Sequence, residues 1–217
     1  MKKIIVLFTA LALVAVSASA IDFHVGVKAG GSLVMGAGTK APDYDSPHFG
    51  WGFVGGVAAD IGILDFLGVE LDVFYSGMYD FGYNTTGVNP MATETLTQTV
   101  SAIEIPVLVK GSLELGPGSL FLSAGGDFFI LLGKKPIITA DGDELDSSFV
   151  AEYDNTFLYG ITAGLGYSFS LGMGTLSIEI RYKYAFNFFY EEGGSKSGSP
   201  NDSGISGFDL IIGYYFL

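Results

Sequence analysis

Large apolar side chains occupy every second position over long stretches of this sequence, with small or charged residues between them. This period of two is typical of β-strands that present one apolar face. The clearest stretches start near residues 23, 67, 103, 157, 176 and 208, and two noisier ones cover about 49–60 and 119–132. Together they predict eight strands of roughly 11 to 15 residues, which is long enough to cross a bilayer when the strands are tilted.

The composition of the two strand faces decides between a soluble barrel and a membrane barrel. One face carries branched and aromatic side chains, whereas the other holds mostly Gly, Ser, Ala and a few charged residues. Eight strands leave an interior that small and charged side chains can fill, so we place the large apolar side chains outside. Such a surface would aggregate in water, whereas lipid accepts it. A soluble lipocalin-like barrel, with the apolar face turned inward around a ligand, is the alternative.

The connections between the predicted strands alternate between long and short. Outer-membrane barrels have short periplasmic turns and long external loops, and an even number of strands brings both termini to the periplasmic side. We therefore predict an all-β fold, an eight-stranded antiparallel up-and-down transmembrane β-barrel in the cell outer membrane. The long links cover about 36–48, 79–98, 133–155 and 187–204, and the short ones lie near 60–66, 114–118 and 171–174.

The first twenty residues resemble an export signal. Lys2 and Lys3 give a positive start, residues 4–16 form an apolar run, and Ala18 and Ala20 form an A-x-A-like cleavage site. We expect residues 1–20 to be a signal peptide and 21–217 to form one outer-membrane β-barrel domain. An uncleaved anchor helix is the alternative, although the apolar run is shorter than the ~20 residues that span a bilayer. After Ala20 no run of 18 apolar residues follows, which predicts no transmembrane helix.

Composition and charge exclude several classes of protein. The chain has no cysteine, so disulfide scaffolds, cysteine-ligated zinc or iron–sulfur sites and thiol catalysis are excluded. A formal net charge of -13 disfavours nucleic acid as a partner, because phosphate binding needs a basic face. We therefore expect no nucleic-acid partner, and outer-membrane lipid as the main surrounding.

Four short segments carry a resemblance to a known family. They are Val25-Gly26-Val27-Lys28-Ala29-Gly30, Gly52-Phe53-Val54-Gly55-Gly56-Val57, Val69-Glu70-Leu71 with Phe74-Tyr75-Ser76, and Ile103-Glu104-Ile105-Pro106-Val107-Leu108-Val109-Lys110. With them the mature chain resembles the PorT-like outer-membrane beta-barrel domain family. The resemblance implies an eight-stranded outer-membrane barrel and no shared reaction. The final Tyr214-Tyr215-Phe216-Leu217 resembles the signal that outer-membrane barrels present to the barrel-assembly machinery, with the aromatic in the penultimate position.

Alternation places ten charged residues on the inner face. Because buried charges must find partners, we expect them to form a hydrogen-bonded network that fills the lumen and is structural. A narrow path for cations or protons is the alternative, whereas a wide aqueous pore would need about sixteen strands. The predicted network comprises Lys28, Glu70, Asp72, Glu104, Lys110, Asp127, Glu179, Arg181, Lys183 and Asp209.

Candidate catalytic, cofactor-binding and metal-binding residues are few, and we predict none of these sites. His24 is expected at the periplasmic end of the first strand, and His48, near Ser46, lies where the first long loop meets the second strand. Residues 50–55 match G-x-G-x-x-G, but no helix follows them, so we expect strand packing and no nucleotide site. The acidic residues of the third loop could hold calcium, although a solvated surface is the simpler expectation.

The predicted function is that of a non-enzymatic, integral outer-membrane barrel with a packed lumen and a structural or surface-interaction role. An extracellular ligand would bind through loops 79–98 and 133–155, where the Thr-rich first of these could extend its flanking strands beyond the membrane as a hairpin. One alternative is a channel for small hydrophobic molecules that leave sideways between strands, near a glycine or near Pro106. A second is a lipid-modifying enzyme that uses His48.

Overall fold

The computed structural model describes residues 22–38, 44–86, 93–140, 143–144, 156–186 and 203–216. The predicted signal peptide and its cleavage site lie outside these residues. No helix in the described part of the chain is long and apolar enough to cross a membrane. The strands are β1 (Asp22–Gly38), β2 (Tyr44–Leu64), β3 (Leu67–Thr86), β4 (Thr93–Leu115), β5 (Gly118–Ala140), β6 (Asp143–Glu144), β7 (Phe157–Leu171), β8 (Gly174–Phe186) and β9 (Ser203–Phe216).

The eight long strands close into a barrel. Each pairs antiparallel with its neighbours along the chain, and β1 pairs with both β2 and β9, from Val25 opposite Phe216 to Gly38 opposite Ser203. The short β6 adds to the far end of β5, while β5 and β7 pair directly. This closed ring is the predicted up-and-down barrel, and the fold-class prediction is confirmed.

Side chains alternate between the barrel exterior and its interior as the sequence pattern predicts. Along β7 exposed and buried positions alternate strictly from Phe157 to Gly166, and β8 alternates in the same way from Ser177 to Lys183. The exposed positions carry the large apolar residues, for example Leu165 and Ile180. The soluble alternative, which required these residues to face inward, is wrong because an apolar outer surface of this extent needs lipid.

Several large apolar side chains nevertheless lie inside the barrel, which corrects the expectation that they all point outward. The reason is that an interior at protein packing density must be filled completely, and the charged residues occupy only part of its length. Val54, Phe74 and Ile211 form one small cluster beside the charged residues. A larger cluster fills the interior toward the long links and consists of Val34, Met78, Phe81, Val100, Ala102, Phe129, Leu131, Leu158, Ala185 and Ile205.

Three two-residue turns join the strands at one end, which we call the short-turn end. They are Asp65–Phe66, Gly116–Pro117 and Gly172–Met173, within the predicted short links. Gly116 and Gly172 have φ angles of 66° and 65°, in the left-handed region where a side chain is unfavourable. The glycines therefore permit these reversals.

The barrel wall is much taller on one side than on the other at the end opposite the short turns. Strands β2 to β5 have 21, 20, 23 and 23 residues, whereas β7, β8, β9 and β1 have 15, 13, 14 and 17. The four long strands exceed the predicted length because their polar ends pair with one another above the apolar band, where no alternation marks them. We call residues 44–48, 79–86, 93–100 and 133–140 the tall sheet.

The tall sheet is bent where it leaves the barrel. The pairing of β3 with β4 shifts between Met78 and Phe81, and Asp80 there has a φ of 53°. The pairing of β4 with β5 shifts at the same height, between Thr99 and Ser101, where β5 inserts residues 133–136. Such bulges bend a strand and change its twist, so the tall sheet does not simply continue the wall of the barrel.

We predict that a charge on the outer surface of the barrel is strongly destabilising only within its apolar band. Ile180→Arg places a cation near the middle of β8 and should lower the free energy of unfolding by about 2–4 kcal/mol in phospholipid bilayers. Met173→Arg, in a turn where the side chain is 86% exposed, should change it by less than about 1 kcal/mol. Reversible denaturant unfolding in liposomes measures both values, and equal effects of the two substitutions would contradict the lipid-facing assignment.

Candidate functional site

The ten charged residues assigned to the inner face lie inside the barrel. Nine of them are buried, each no more than 3% exposed, and Lys110 is half-buried near the short-turn end. They come from β1, β3, β4, β5, β8 and β9, so their contacts cross the interior and connect distant parts of the chain. Three groups of contacts can be distinguished along the barrel axis.

Arg181 is the centre of the first group. Its Nη1 atom lies 2.9 Å from Asp72 Oδ2, and its Nη2 atom lies 3.0 Å from Glu70 Oε1 and 2.7 Å from Glu179 Oε2. Glu179 and Arg181 are two residues apart on β8, which places both on the inner face of the strand. A guanidinium suits this position because its planar array of donors can bind several carboxylates at once.

Lys28 completes the first group from the opposite wall. Its Nζ atom bonds Glu70 Oε1 and lies 3.5 Å from both Asp72 Oδ2 and Glu179 Oε2. Lys28 and Arg181 therefore share the same three carboxylates. Removal of one partner from such a buried set leaves charges without compensation, which is far more costly than the loss of an exposed ion pair.

Lys183 holds the second group, which lies toward the large apolar cluster. Its Nζ atom lies 3.0 Å from Glu104 Oε2 and 3.1 Å from Asp209 Oδ2. The Ser32 hydroxyl donates a hydrogen bond to Asp209 Oδ1. Asp127 is fully buried, and neither of its carboxylate oxygens has a hydrogen-bond partner among the residues that the structure describes.

Lys110 forms the third group at the short-turn end, together with two residues that the sequence analysis did not select. Its Nζ atom bonds Asp60 and lies 3.2 Å from Glu70 Oε2, and the Tyr215 hydroxyl donates to the same Glu70 oxygen at 2.8 Å. Parity along the strands would have found Asp60 and Tyr215, because each lies an even number of residues from an inward position. The Lys110 ammonium also lies over the Phe121 ring, 4.6 Å from its centroid.

Small residues on β7 let the charged groups pack tightly. A Cβ atom added at Gly164 would lie 2.3 Å from Glu179 Oε1 and 2.6 Å from Ser123 Oγ, and one at Gly166 would lie 2.2 Å from the Phe121 ring. The Ser123 hydroxyl donates to Glu179 Oε1 at 2.8 Å. The interior at this level is therefore filled by side chains.

The two ends of the interior differ in character. Beyond the Lys183 group the large apolar cluster fills the barrel toward the long links. At the short-turn end, by contrast, a cavity of about 570 Å³ opens below Lys110. The charged groups thus lie between the large apolar cluster, which we call the apolar plug, and this cavity, which we call the vestibule.

The remaining candidates from the sequence are not brought together as a reaction site. His24 lines the vestibule, whereas His48 lies at the opposite end of the barrel, on β2. The Ser46 side chain and most of the acidic third loop lie outside the described residues. Residues 50–55 are entirely strand, without the helix that a nucleotide site needs. In the described part of the chain, no three His, Asp or Glu residues are placed to hold a metal ion.

Comparison with known proteins identifies the class to which this barrel belongs. The model of a family described as "Outer membrane protein beta-barrel domain" matches residues 15–191. The chain belongs to this family and is an integral outer-membrane β-barrel protein. Its short-turn end therefore faces the periplasm and its tall sheet faces the cell exterior. The comparison with curated proteins found no match.

Solved structures of outer-membrane barrels are similar to this one. Neisserial surface protein A is 13% identical with a TM-score of 0.46, over 91% of this chain and 99% of that chain. OprG from Pseudomonas aeruginosa is 10% identical with a TM-score of 0.47, over 89% and 96%. Ail, the attachment invasion locus protein of Yersinia pestis, solved with the heparin analogue sucrose octasulfate, is 13% identical with a TM-score of 0.44, over 90% and 99%.

We predict that Arg181→Met destabilises the barrel by about 3–5 kcal/mol, because Asp72 and Glu179 would then have only Lys28 as a cationic partner in a buried site, and Glu70 would keep Lys28 and Lys110. The measurement is the free energy of unfolding in detergent or lipid, read from the shift between folded and unfolded bands on a gel without heating. The matched control is Asp80→Asn, which alters one exposed charge and should change stability by no more than about 0.5 kcal/mol. An Arg181→Met barrel as stable as the control would show that the ion pairs contribute little.

A second prediction tests how tightly the interior is packed. Gly164→Ala should destabilise the barrel by about 1–3 kcal/mol, because the new methyl group would overlap Glu179 and Ser123. Gly31→Ala is the matched control on the outer face, where an added Cβ would meet nothing within 4 Å. Thermal unfolding of both variants in the same detergent provides the comparison, and we expect only Gly164→Ala to lower the midpoint. Indistinguishable midpoints would mean that the lumen has unfilled space beside Gly164.

Proposed function

We propose that this protein is a non-enzymatic surface component, in which a sealed barrel anchors a tall sheet that binds a partner outside the cell. The observation that carries the proposal is the contrast between the filled interior and a wall that, among the residues that the structure describes, rises on one side of the barrel. Filling the interior with buried ion pairs serves no transport role, whereas a four-stranded extension beyond the membrane offers a surface for recognition. The barrel would supply a fixed attachment in lipid and the orientation of that surface.

The filled interior supports an anchoring role over the channel alternative. A solute passing along the axis would have to displace the apolar plug and then separate Arg181 from its three carboxylates. Separating a buried charge from its partner costs several kilocalories per mole of free energy, so passage along the axis is unfavourable. The interior thus favours a closed anchor.

Pro106 is the feature that favours a lateral exit for apolar molecules. Proline has no backbone N–H, and the pairing of β3 with β4 is interrupted beside it, between Leu71 opposite Val107 and Phe74 opposite Glu104. The inner surface there is charged, however, because Asp127 lies opposite Pro106 on β5. An apolar molecule would gain nothing by entering such a surface, so we rank the hydrophobic channel second.

The edges of the tall sheet favour recognition through its face and loops over strand addition. The pairing of β1 with β2 ends at Met35 opposite Phe49, so β2 continues beyond its neighbour to Tyr44. Pro47 lies on that outer edge, and the β5 insert at the other side of the sheet contains Lys134, Lys135 and Pro136. Proline and lysine at sheet edges are common devices against pairing with another strand. A ligand would therefore contact the predicted regions 79–98 and 133–155 through side chains.

Two finer assignments accompany the proposal. The Ile105-Pro106 step of β4 and the glycine-rich β2 support a place in the PorT-like group of outer-membrane barrels. The last strand, which ends at Phe216 and closes the ring against β1, would be the segment that the barrel-assembly machinery recognises. Neither assignment implies a reaction.

The proposal predicts that the tall sheet can be removed without loss of the barrel. A variant in which residues 82–97 are replaced by Asn-Gly should fold and reach the outer membrane, because β3 and β4 keep their lipid-facing parts. Cells carrying it should lose attachment to immobilised extracellular proteins and to neutral and sulfated glycans. The matched control replaces the periplasmic turn Gly172-Met173 by Asn-Gly, which should leave attachment unchanged.

Liposome swelling tests whether the barrel is closed, as an anchor should be, or conducts solutes, as a channel would. Liposomes containing the intact protein should be impermeable to small sugars and to small apolar solutes, since the interior is filled. Solute flux that is abolished by Gly164→Ala, together with normal attachment of the variant without residues 82–97, would overturn the anchor role in favour of transport.

A further inference from the structure

The vestibule at the periplasmic end has the size and chemistry of a ligand site. We propose that it binds a small flexible organic polycation, with ammonium groups spaced along a chain, from the periplasm. Its volume of about 570 Å³ lies within the range of cavities that hold small molecules. This inference concerns the opposite end of the barrel from the tall sheet and does not depend on its role.

Carboxylates dominate the charge of the vestibule. Asp22 on β1, Asp60 on β2 and Asp65 in the first turn line it, whereas its cationic side chain is Lys110. The Lys110 ammonium is already held by Asp60 and by Glu70 behind it, so it is not free to bind an anion. The charge that remains for a ligand is negative, which favours a cation.

The spacing of the carboxylates favours an extended cation over a single metal ion. Asp22 lies on β1 and Asp65 in the turn after β2, whereas Asp60 is paired with Lys110, and no three acidic or histidine side chains in the described residues converge as metal ligands. Separated carboxylates match ammonium groups that are themselves separated by methylene segments. Each ammonium group can then reach one carboxylate without displacing its neighbours.

The rest of the lining suits the uncharged parts of such a ligand. Leu64, Phe66 and Leu67 give the lining apolar surface for methylene groups, whereas the rings of Phe121 and Tyr215 at its inner end are already covered by Lys110. Hydroxyl groups from four different strands stand around the wall opposite Asp22 and Asp60, and their oxygens accept hydrogen bonds from ammonium N–H groups. These hydroxyl residues are Ser112, Ser119, Ser168 and Thr175.

Spermidine is the probe that tests the proposal, with triethylene glycol as a neutral ligand of similar length. The full protein, isotopically labelled and purified from outer membranes, is placed in nanodiscs of phosphatidylcholine, which carries no net charge. Backbone amide shifts are then followed during titration. We expect saturable shifts for spermidine, confined to vestibule residues such as His24, Gly62 and Ser119, and none for triethylene glycol.

Two variants separate the vestibule from general surface charge. Asp22→Asn combined with Asp65→Asn removes two rim carboxylates outside the ion-pair groups and should weaken spermidine binding about tenfold. Glu114→Gln is the matched control, because Glu114 is an exposed acid at the same end that does not line the cavity. We expect the control to bind as the unmodified protein does.

A third variant tests the cavity itself. Thr175→Trp fills the vestibule without a change of charge and should also weaken binding about tenfold, since the ligand loses its contact with the wall. Heat-modifiable migration on a gel shows whether each variant remains folded. Shifts that do not saturate, equal weakening by Glu114→Gln, or unchanged binding in folded Thr175→Trp would each overturn the proposal.

Discussion

The closed ring of backbone hydrogen bonds is the constraint on which the rest of this structure depends. In the hydrocarbon layer an unpaired N–H or C=O group costs several kilocalories per mole, so a sheet that crosses it must have no open edge. The pairing of β1 with β9 removes that edge. Once the ring is closed, strand geometry sends successive side chains alternately to lipid and to the interior.

The interior of so narrow a barrel must then be filled, and the chain fills it differently at each level. Arg181, Lys28 and three carboxylates occupy the middle, an apolar plug lies toward the cell exterior, and the vestibule opens to the periplasm. The ionic contacts also disfavour errors in strand register, because a slip of one residue would move a buried charged side chain to the outer face, in contact with lipid. The same buried ionic contacts therefore stabilise the barrel and select its strand register.

The sequence predicted the barrel well because its signal is repeated in every strand. Eight stretches with the same period agree with one another, so the noisy second and fifth stretches were still assigned correctly. The apolar outer face and the short turns followed from the same pattern and from glycines such as Gly116 and Gly172. A strand that contacts lipid on one face and the packed interior on the other must alternate residue by residue, so few other folds fit this pattern.

Features outside that pattern were predicted less well. The polar ends of β2 to β5 form strands through pairing with one another. The Thr-rich segment 79–98 had suggested a hairpin that extends β3 and β4, whereas the ends of β2 and β5 were expected as loops. Phe74 and Phe129 were not expected in the interior, because hydrophobicity alone cannot tell an aromatic that fills a barrel from one that faces lipid. Asp60 was missed because the alternation in β2 is masked by alanine and glycine on both faces.

Accessibility of single positions along β8 to lipid-soluble and water-soluble quenchers tests the central claim most directly. The chain has no cysteine, so one cysteine at a time can be introduced from 176 to 183 and spin-labelled. In bilayers we expect oxygen collision rates to alternate with a period of two, highest at even positions, which face outward. A uniform profile, or one with its maxima at 177, 179, 181 and 183, would contradict the account.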